Sequence, residues 1–339
     1  MDNNYWKGKN VFITGINGFI GGNLAKLLNK KGANIFGLIR NPNNKTFLHF
    51  EGIDKDIVLI NGDLCDKELI SRIISEEQID TVFHLAAQVE VGVGIENPYL
   101  TFETNVRGTY TILEAIRLYP KNIKSVVVAS SDKAYGSYGI EMMPYQEDYP
   151  LIPKYPYDTS KACADLVAKS YANDIYKLPI VVTRFSNIFG PGQLNFSAII
   201  PDGIRSALGI SKFIPRGDGK AIRDFIYVED VCDLYLRISE NIAKSEDESL
   251  YGEIFNAGTN SPISMKEVIS KVFTSLNQEE ELQVIINAMK GKTTQGEIDI
   301  QYMDYKKVNK FFDWSPSHDF DSGLSKTIEW FKKYLKDKK

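Results

Sequence analysis

The sequence predicts an α/β fold, a doubly wound parallel sheet with a smaller mixed α/β lobe. Three observations carry this prediction. Short runs of β-branched and aromatic residues alternate with amphipathic stretches of helical period. The apolar runs are continuous, which is typical of parallel strands covered by helices on both faces. A glycine-rich turn also joins the first apolar run to the first amphipathic stretch, as in a Rossmann-type sheet.

The first half of the chain supplies the alternation. The runs predicted as strands are NVFITG, NIFGLIR, DIVLINGDL, DTVFHLAA, SVVVASS and LPIVVTRF. The helices predicted among them include NLAKLLNKKG, KELISRIISEE and TFETNVRGTYTILEAIRLYP. Such β-α-β units place their helices on both faces of one sheet.

The alternation becomes irregular beyond residue 185, where Pro/Gly loops interrupt it. We therefore predict two interlocked domains. Residues 1–185 and 222–257 form a dinucleotide-binding domain, and residues 186–221 and 258–339 form a substrate lobe. A chain of 339 residues is long enough to enclose a cleft that excludes water.

Composition argues against several classes of protein. The net charge is −4 and no basic stripe is present, so a nucleic-acid polymer is not expected as a partner. No apolar run would span a bilayer and the start lacks a signal-peptide pattern, so we expect a cytoplasmic protein without membrane contact. The scattered Cys65, Cys163 and Cys232 indicate reduced structural thiols rather than a disulfide framework or a metal site. His84 is predicted to pack at a strand end.

The glycine turn after the first strand is a predicted phosphate-binding site. Gly15, Gly18 and Gly21 follow a G-x-x-G-x-x-G pattern, which departs from the G-x-G-x-x-G dinucleotide fingerprint. Glycines there allow a tight turn and a close approach of backbone N–H groups to a pyrophosphate at a helix N-terminus. We predict that the cofactor contacts these glycines and the residues among them, Asn17, Phe19 and Ile20.

Two further strand ends bear on the cofactor. Arg40 ends the second strand, where an arginine suits the 2′-phosphate of NADP, so NADP is favoured over NAD. The alternative is a solvated arginine. Asp63, followed by Leu64, ends the third strand, and its carboxylate is predicted to contact the adenine amino group. The alternative is an aspartate that only forms the turn.

Tyr157 and Lys161 are the predicted centre of catalysis. They lie four residues apart at the start of a helix and therefore share one face. A nearby ammonium would lower the pKa of the Tyr157 phenol and make it a usable base, and Lys161 can also bind the cofactor ribose.

Several motifs appear in a family order: TGINGFIG, HLAAQ, NVRGT, SSDKAYG, YDTSK, RFSNIFGPG, RDFIYVEDV and FNAGT. Over nearly the whole chain, they resemble the extended short-chain dehydrogenase/reductase family, which includes nucleotide-sugar 4-epimerases and 4,6-dehydratases. The resemblance implies a tightly bound, recycled NAD(P), with cofactor contacts from Ala86 and Ala87. It also implies a homodimer, or a dimer of dimers, formed through the long helices after strands four and five.

The reaction type is predicted to depend on Ser131, Asp132 and Lys133. Family epimerases have small residues here, whereas dehydratases resemble Thr-Asp-Glu, and the Asp-Lys pair resembles the CDP-glucose 4,6-dehydratases. The GDP-mannose 4,6-dehydratases are the next most similar group, and the likeness lies mainly in GLIR at the end of the second strand. The resemblance implies that Ser131 binds the sugar 4-hydroxyl and that Asp132 protonates the leaving C6 hydroxyl. The alternative for Asp132 is a strand-end residue that only caps the loop. Lys133 either removes the C5 proton or, alternatively, orients Asp132 or binds substrate.

The remaining site residues are predicted to bind a nucleotide-diphosphate sugar. Asn187 and Arg223 resemble the family residues that contact the diphosphate, Arg216 is a further phosphate candidate, and Gln88 is predicted to contact substrate. The function favoured by the sequence is therefore a nucleotide-sugar 4,6-dehydratase. A 4-epimerase of the same family and a non-catalytic NAD(P)-binding sensor are the alternatives.

Overall fold

The computed structural model describes residues 4–245, 248–293 and 298–336. Within these ranges the strands are β1 (Asn10–Thr14), β2 (Asn34–Ile39), β3 (Val58–Asn61), β4 (Thr81–His84), β5 (Ser125–Ala129), β6 (Ile180–Phe185), β7 (Asn187–Phe189), β8 (Ile222–Arg223), β9 (Phe225–Tyr227), β10 (Ile254–Ala257), β11 (Ile263–Ser264) and β12 (Ile300–Gln301). Seven of them form one sheet in the order β10-β6-β5-β4-β1-β2-β3. Every neighbouring pair in it is parallel, which confirms the predicted fold class.

Helices connect most of these strands. Within the same ranges they are α1 (Phe19–Lys30), α2 (Phe47–Phe50), α3 (Lys67–Glu76), α4 (Val91–Glu96), α5 (Pro98–Phe102), α6 (Gly108–Leu118), α7 (Pro156–Tyr171), α8 (Ile199–Ala207), α9 (Val228–Lys244), α10 (Met265–Thr274), α11 (Glu279–Met289), α12 (Lys306–Phe312) and α13 (Phe320–Lys336). A π-helical segment, Glu103–Arg107, joins α5 to α6.

The two faces of the central sheet bury separate apolar cores. On β5, Val126 and Val128 belong to one core and Val127 to the other, because successive side chains of a strand point to opposite faces. Leu24 of α1 and Leu234 of α9 share the core of Val127, whereas Ile70 of α3 and Ile112 of α6 share the opposite one. Both faces are therefore covered, which explains why the apolar runs are continuous.

The strand order reverses at β1, which lies between β2 and β4. The connections leave the carboxyl ends of β1 and β4 in opposite directions, so a crevice opens at that edge. Ligands of doubly wound sheets bind at such a switch point. The predicted glycine turn follows β1 directly.

Two small sheets lie outside the central one. β8 pairs with β11 and β12, and β9 pairs with β7. The predicted boundary at residue 222 therefore assigns β8 and β9 to a domain whose sheet they do not join. These two- and three-residue strands carry no period that a sequence reading can detect, whereas β10 does pair with β6 in the central sheet. The division into domains otherwise remains a prediction.

None of the described helices is long and apolar enough to cross a membrane. Cys65, Cys163 and Cys232 carry free thiols. Among the described residues, no group of His, Cys, Asp and Glu side chains is arranged to hold a metal ion. The cytoplasmic location stays a prediction.

Candidate active site

The glycine turn packs tightly between β1, α1 and the loop after β4. Gly15 has a φ of +72°, and a Cβ there would lie 2.8 Å from the backbone nitrogen of Ala86. A Cβ on Gly21 would lie 2.3 Å from the carbonyl oxygen of Gly15. Gly18 caps α1 without any side chain, so the first N–H groups of the helix have no side-chain cap. This cradle of backbone groups at a helix N-terminus fits a dinucleotide pyrophosphate.

His84 is a structural residue, as predicted. Its Nδ1 accepts a hydrogen bond from the Thr14 hydroxyl at 2.9 Å, and its Nε2 donates to the Thr109 hydroxyl at 3.0 Å. The Thr109 hydroxyl in turn donates to the carbonyl of Asn105, which assigns the proton to Nε2. Burial, with a smaller effect of Lys161, lowers the pKa of His84 to about 3. The ring is therefore neutral and joins β1, β4 and α6.

The other predicted cofactor contacts lie at the same edge of the sheet. Arg40 is exposed at the end of β2, and Ala86 and Ala87 are partly buried after β4. The Asp63 carboxylate accepts a hydrogen bond from the backbone N–H of Cys65 at 2.7 Å, as a turn-forming aspartate does. The Leu64 side chain is buried and lies where a Cβ on Gly108 would be, so it packs on α6.

The turn after β5 carries Ser131, Asp132 and Lys133, on which the reaction type is predicted to depend. Asp132–Tyr135 form one turn of 3-10 helix, and the Ser131 hydroxyl accepts a hydrogen bond from the backbone N–H of Lys133 at 3.2 Å. The same hydroxyl donates to the Asp132 carboxylate at 3.0 Å. Asp132 is buried, and Lys133 is partly buried. Ser131 thus fixes the conformation of the turn.

Tyr157 and Lys161 lie in the first turns of α7, as predicted, and both are buried. Burial raises the pKa of Tyr157, the Asp132 and Asp158 carboxylates raise it further, and a hydrogen bond with Ser131 opposes them. The charge of Lys161 is not among the causes of this shift, so its effect on the phenol stays a prediction. The Lys161 amine donates to the carbonyl of Ala129 at 2.9 Å. Burial lowers the pKa of Lys161 to about 8.

Asp158, which the sequence reading left without a role, is a buried carboxyl next to Tyr157 in the chain. Burial raises its pKa, the charge of Lys133 lowers it, and the charge of Asp132 raises it. Asp158, Asp132 and Lys133 therefore interact as one charged cluster. In the sequence, Asp158 directly follows Tyr157 in the Y-x-x-x-K motif, which does not specify the residue type at that position.

A buried ion pair anchors the next turn of α7. Asp165 accepts two hydrogen-bond contacts of 2.6 Å from the Arg184 guanidinium of β6, and both side chains are almost fully buried. The guanidinium also lies 4.5 Å from the centre of the Tyr135 ring. This pair connects α7 to β6 and to the turn that carries Lys133.

Asn105 is a further residue without a sequence-based role. It is buried in the π-helical segment, where its amide exchanges hydrogen bonds with the backbone N–H and C=O of Gln88, at 2.7 and 3.0 Å. It also donates to the Ser160 hydroxyl of α7 at 2.8 Å. Asn105 therefore fixes the loop after β4 against the catalytic helix. π-helical turns often occur at functional sites, but the sequence pattern indicates only an amphipathic helix here.

A cavity of about 740 Å³ opens beside the turn after β5. Lys133 and Arg216 lie on its wall, and the other charged residues that line it are Asp202, Asp218, Lys220, Lys292 and Asp299. Cavities of this volume accept ligands of nucleotide size. The cationic side chains suit a diphosphate, and apolar residues including Phe213 and Met289 suit a base.

Three residues that are predicted to bind substrate make contacts with other residues of the protein. Arg223 is buried, and its Nη1 donates to the carbonyls of Ile222 and Asp299, at 2.7 and 3.5 Å. Asn187 begins β7, opposite Phe225. The Gln88 amide donates to the carbonyl of Glu90 at 2.9 Å. None of the three is on the wall of the cavity formed by the described residues, so their contact with substrate stays a prediction.

The fold and the site are those of the extended short-chain dehydrogenases/reductases, with a glycine turn at the switch point and a Tyr157/Lys161 pair on α7. The family model described as GDP-mannose 4,6-dehydratase matches residues 12–327. The chain belongs to this family, and the predicted resemblance to nucleotide-sugar 4,6-dehydratases and epimerases is confirmed.

Relatives of both reaction types are similar to the chain. The dTDP-glucose 4,6-dehydratase of Xanthomonas campestris is 31% identical, over 94% of this chain and 92% of that protein. The structure of a Bacillus anthracis dTDP-glucose 4,6-dehydratase in complex with NAD has a TM-score of 0.81 and 28% identity, covering 96% and 97% of the two chains. A Thermotoga maritima UDP-glucose 4-epimerase with UDP-glucose has a TM-score of 0.80 and 25% identity, covering 96% and 99%.

The Asp165–Arg184 pair yields a prediction of stability. Asp165→Asn leaves a buried guanidinium without its counter-charge, so we expect the free energy of unfolding to fall by about 3–5 kcal/mol. Urea denaturation measures the change. The matched control is Glu248→Gln, in the exposed pair with Lys177, where a loss below about 1 kcal/mol is expected. Equal losses in the two variants would contradict a structural role for the buried pair.

Proposed function

We propose that the protein is a nucleotide-sugar 4,6-dehydratase that uses a bound NAD(P) as a recycled hydride carrier. The observation that carries the proposal is the turn Ser131-Asp132-Lys133, which lies beside Tyr157 and places Lys133 on the wall of the substrate-sized cavity. An enzyme that only inverts C4 needs neither an acid for the C6 hydroxyl nor a base for C5. The carboxyl and amine in this turn supply both.

The first proposed step is removal of the proton from the sugar 4-hydroxyl by the Tyr157 phenolate. Bound NAD(P) would accept the C4 hydride and later give it back. Burial and two carboxylates disfavour the phenolate, so the positive charge of an oxidised nicotinamide and of Lys161 would be needed to form it. The Ser131 hydroxyl, which donates to Asp132 in the structure, would favour the charged form by turning its proton to the phenolate. The proton would remain on Tyr157 while the C4 ketone persists and, after the product leaves, would replace through solvent the proton that Asp132 gives to the departing hydroxyl.

The second proposed step is the loss of water across C5 and C6. The C4 ketone acidifies the C5 proton, which Lys133 takes as the base. The C6–O bond breaks, and Asp132 protonates the leaving hydroxyl, which departs as water. The stored hydride adds to C6 and a proton returns to C5, giving a 4-keto-6-deoxy sugar. The Asp158 carboxyl lies near this turn, where the charge of Asp132 raises its pKa and the charge of Lys133 lowers it.

For the nucleotide, we propose CDP-glucose, with GDP-mannose next. Besides the Asp132-Lys133 resemblance, this is supported by Asp202 on the cavity wall. A carboxylate only accepts hydrogen bonds, so it suits the amino group of cytosine or guanine and opposes the O4 carbonyl of uracil or thymine. The names of the solved relatives point instead to dTDP- and UDP-sugars. A 4-epimerase is the second candidate, supported by the likeness to the Thermotoga enzyme.

An assay of products tests the reaction. Purified protein incubated with CDP-glucose is expected to form a 4-keto-6-deoxy sugar, detected by its alkali-dependent absorbance, and faster than with dTDP-glucose, UDP-glucose or GDP-mannose. Tyr157→Phe is expected to lower turnover by about 10²–10⁴-fold, because it removes the base. Recovery of a C4-inverted hexose alone would establish the epimerase instead. Cofactor binding with no turnover on any of the four sugars would favour the sensor.

Arg40 yields a prediction for the cofactor. If NADP is the cofactor, its 2′-phosphate lies near the exposed guanidinium at the end of β2, and Arg40→Gln is expected to weaken NADP⁺ binding by roughly ten- to hundredfold. NAD⁺ binding is expected to change little. Equilibrium titration of the cofactor-free protein measures both. An unchanged NADP⁺ affinity would show that Arg40 is only a solvated strand-end residue, and would leave NAD, which the Bacillus anthracis structure holds, as the better proposal.

The proposed dimer is supported by apolar side chains exposed on the long helices. Tyr99 of α5, Tyr110 of α6 and Leu166 of α7 are 73%, 43% and 63% exposed. Leu166→Asp places a charge on this surface and is expected to shift sedimentation from dimer to monomer, because an unpaired charge is costly inside an apolar interface. The control, Val284→Asp, changes an equally exposed apolar residue on α11 and should leave the dimer intact. A monomeric wild-type protein would refute the proposal.

A further inference from the structure

Gln301 is a fully buried polar residue that contacts the proposed catalytic turn from the far end of the sequence. It ends β12, and its Oε1 accepts a hydrogen bond of 2.6 Å from the Lys133 amine. The two residues are 168 positions apart. A short hydrogen bond from a charged or ionisable amine to a buried amide is among the stronger contacts that a protein makes.

The backbone around Gln301 is fixed on both sides. β12 pairs with β8, and the residue opposite Gln301 is Arg223, one of the predicted diphosphate contacts. On the other side, the backbone N–H of Tyr145 donates to the carbonyl of Tyr302 at 3.1 Å. The buried Tyr145 hydroxyl then donates to Gly136, which follows the 3-10 turn of Lys133. Gln301 therefore lies between the proposed catalytic turn and the small sheet of β8, β11 and β12.

We propose that Gln301 is a positioning residue, which holds the Lys133 amine in place at the sugar site and ties its position to the strand that carries Arg223. This inference rests on the proposed dehydratase function. The lysine side chain has four rotatable bonds, so without a fixed acceptor its amine would sample many positions over the cavity. Removal of a proton from carbon requires a base within hydrogen-bond reach of that proton. A rigid support for the base lowers the entropic part of the activation free energy.

The chemical type of Gln301 fits this role. An amide oxygen orients an amine without adding a further negative charge to those of Asp132 and Asp158, whereas a third carboxylate would favour the ammonium form, which cannot act as a base. Lys133 has further interactions besides this one, so the proposal concerns the contribution of the Gln301 contact alone. That contribution is separable by experiment, because it disappears when Lys133 itself is removed.

The experiment is a single-turnover comparison of the wild-type enzyme, Gln301→Met, Lys133→Met and the double variant, each with its bound cofactor and with the nucleotide sugar that the wild-type enzyme dehydrates. Methionine has nearly the volume of glutamine and lacks the acceptor. The near-ultraviolet absorbance of the reduced nicotinamide rises with C4 oxidation and falls when the hydride returns to C6. The rate of the rise therefore reports C4 oxidation, and the rate of the fall reports the steps that follow, including removal of the C5 proton.

We expect Gln301→Met to slow the fall of this absorbance by roughly ten- to hundredfold while its rise changes little, as for loss of one hydrogen bond to a charged group. In the Lys133→Met background, the same substitution should cause no further loss. Gln278→Met, a remote glutamine before α11, is the matched control and should leave both rates unchanged.

Three results would overturn the inference: a fall at the wild-type rate, an equal slowing of rise and fall, or effects that multiply in the double variant. An equal slowing would assign Gln301 a general structural role. Failure of the proposed function itself is distinguishable, because the wild-type enzyme would then yield no dehydrated product. A normal fall in Lys133→Met, together with dehydrated product, would instead reject Lys133 as the base and with it the role of Gln301.

Discussion

The burial of charge along the first turns of α7 is the constraint on which the rest of the site depends. Asp158, Lys161 and Asp165 are all buried there, and each requires a partner because an isolated buried charge is costly. The partners come from other elements: the carbonyl of Ala129 for Lys161, Arg184 for Asp165, and the charge of Lys133 for Asp158. These contacts fix α7 against the carboxyl ends of β5 and β6.

The same constraint sets the protonation states. Burial raises the pKa of Tyr157 and lowers that of Lys161, so both groups are displaced toward their neutral forms. A tyrosine of this kind keeps its proton until a positive charge arrives, which suits an enzyme that should react only when its oxidised cofactor is bound. The hydrogen-bonded turn of Ser131 then places an acid and an amine beside that tyrosine. In the proposed mechanism, Lys133 links the reaction to the cavity, because it belongs to this turn and lies on the cavity wall.

The local features of the site were predictable from sequence. The glycine turn, the Y-x-x-x-K helix and the continuous apolar strands each depend on residues close in the chain, and the structure places them as predicted. The domain division at residue 222 stays a prediction, but the pairing of β8 with β11 and β12 was not predictable, because a strand of two residues has no sequence signature. Long-range contacts were missed for the same reason, as the hydrogen bond between Gln301 and Lys133 illustrates.

Electrostatics was the least predictable part. The spacing of Tyr157 and Lys161 places both on one helical face, but it does not show that the amine donates to Ala129 or that two carboxylates face the phenol. The role of Asn105 was not predictable either. It lies in a π-helical turn within an amphipathic segment, and this turn brings its side-chain amide within hydrogen-bond distance of Gln88 and Ser160. These roles depend on burial and on neighbours from distant segments, which only the folded chain brings together.

The fate of the C4 hydrogen tests the central claim most directly. A nucleotide sugar that carries deuterium at C4 is incubated with the protein, and the product is examined by mass spectrometry and NMR. The dehydratase account predicts that the deuterium moves to C6 of a 4-keto-6-deoxy product, because the same enzyme-bound carrier takes it and returns it. Deuterium found again at C4, in a sugar that retains its C6 hydroxyl, would contradict the account.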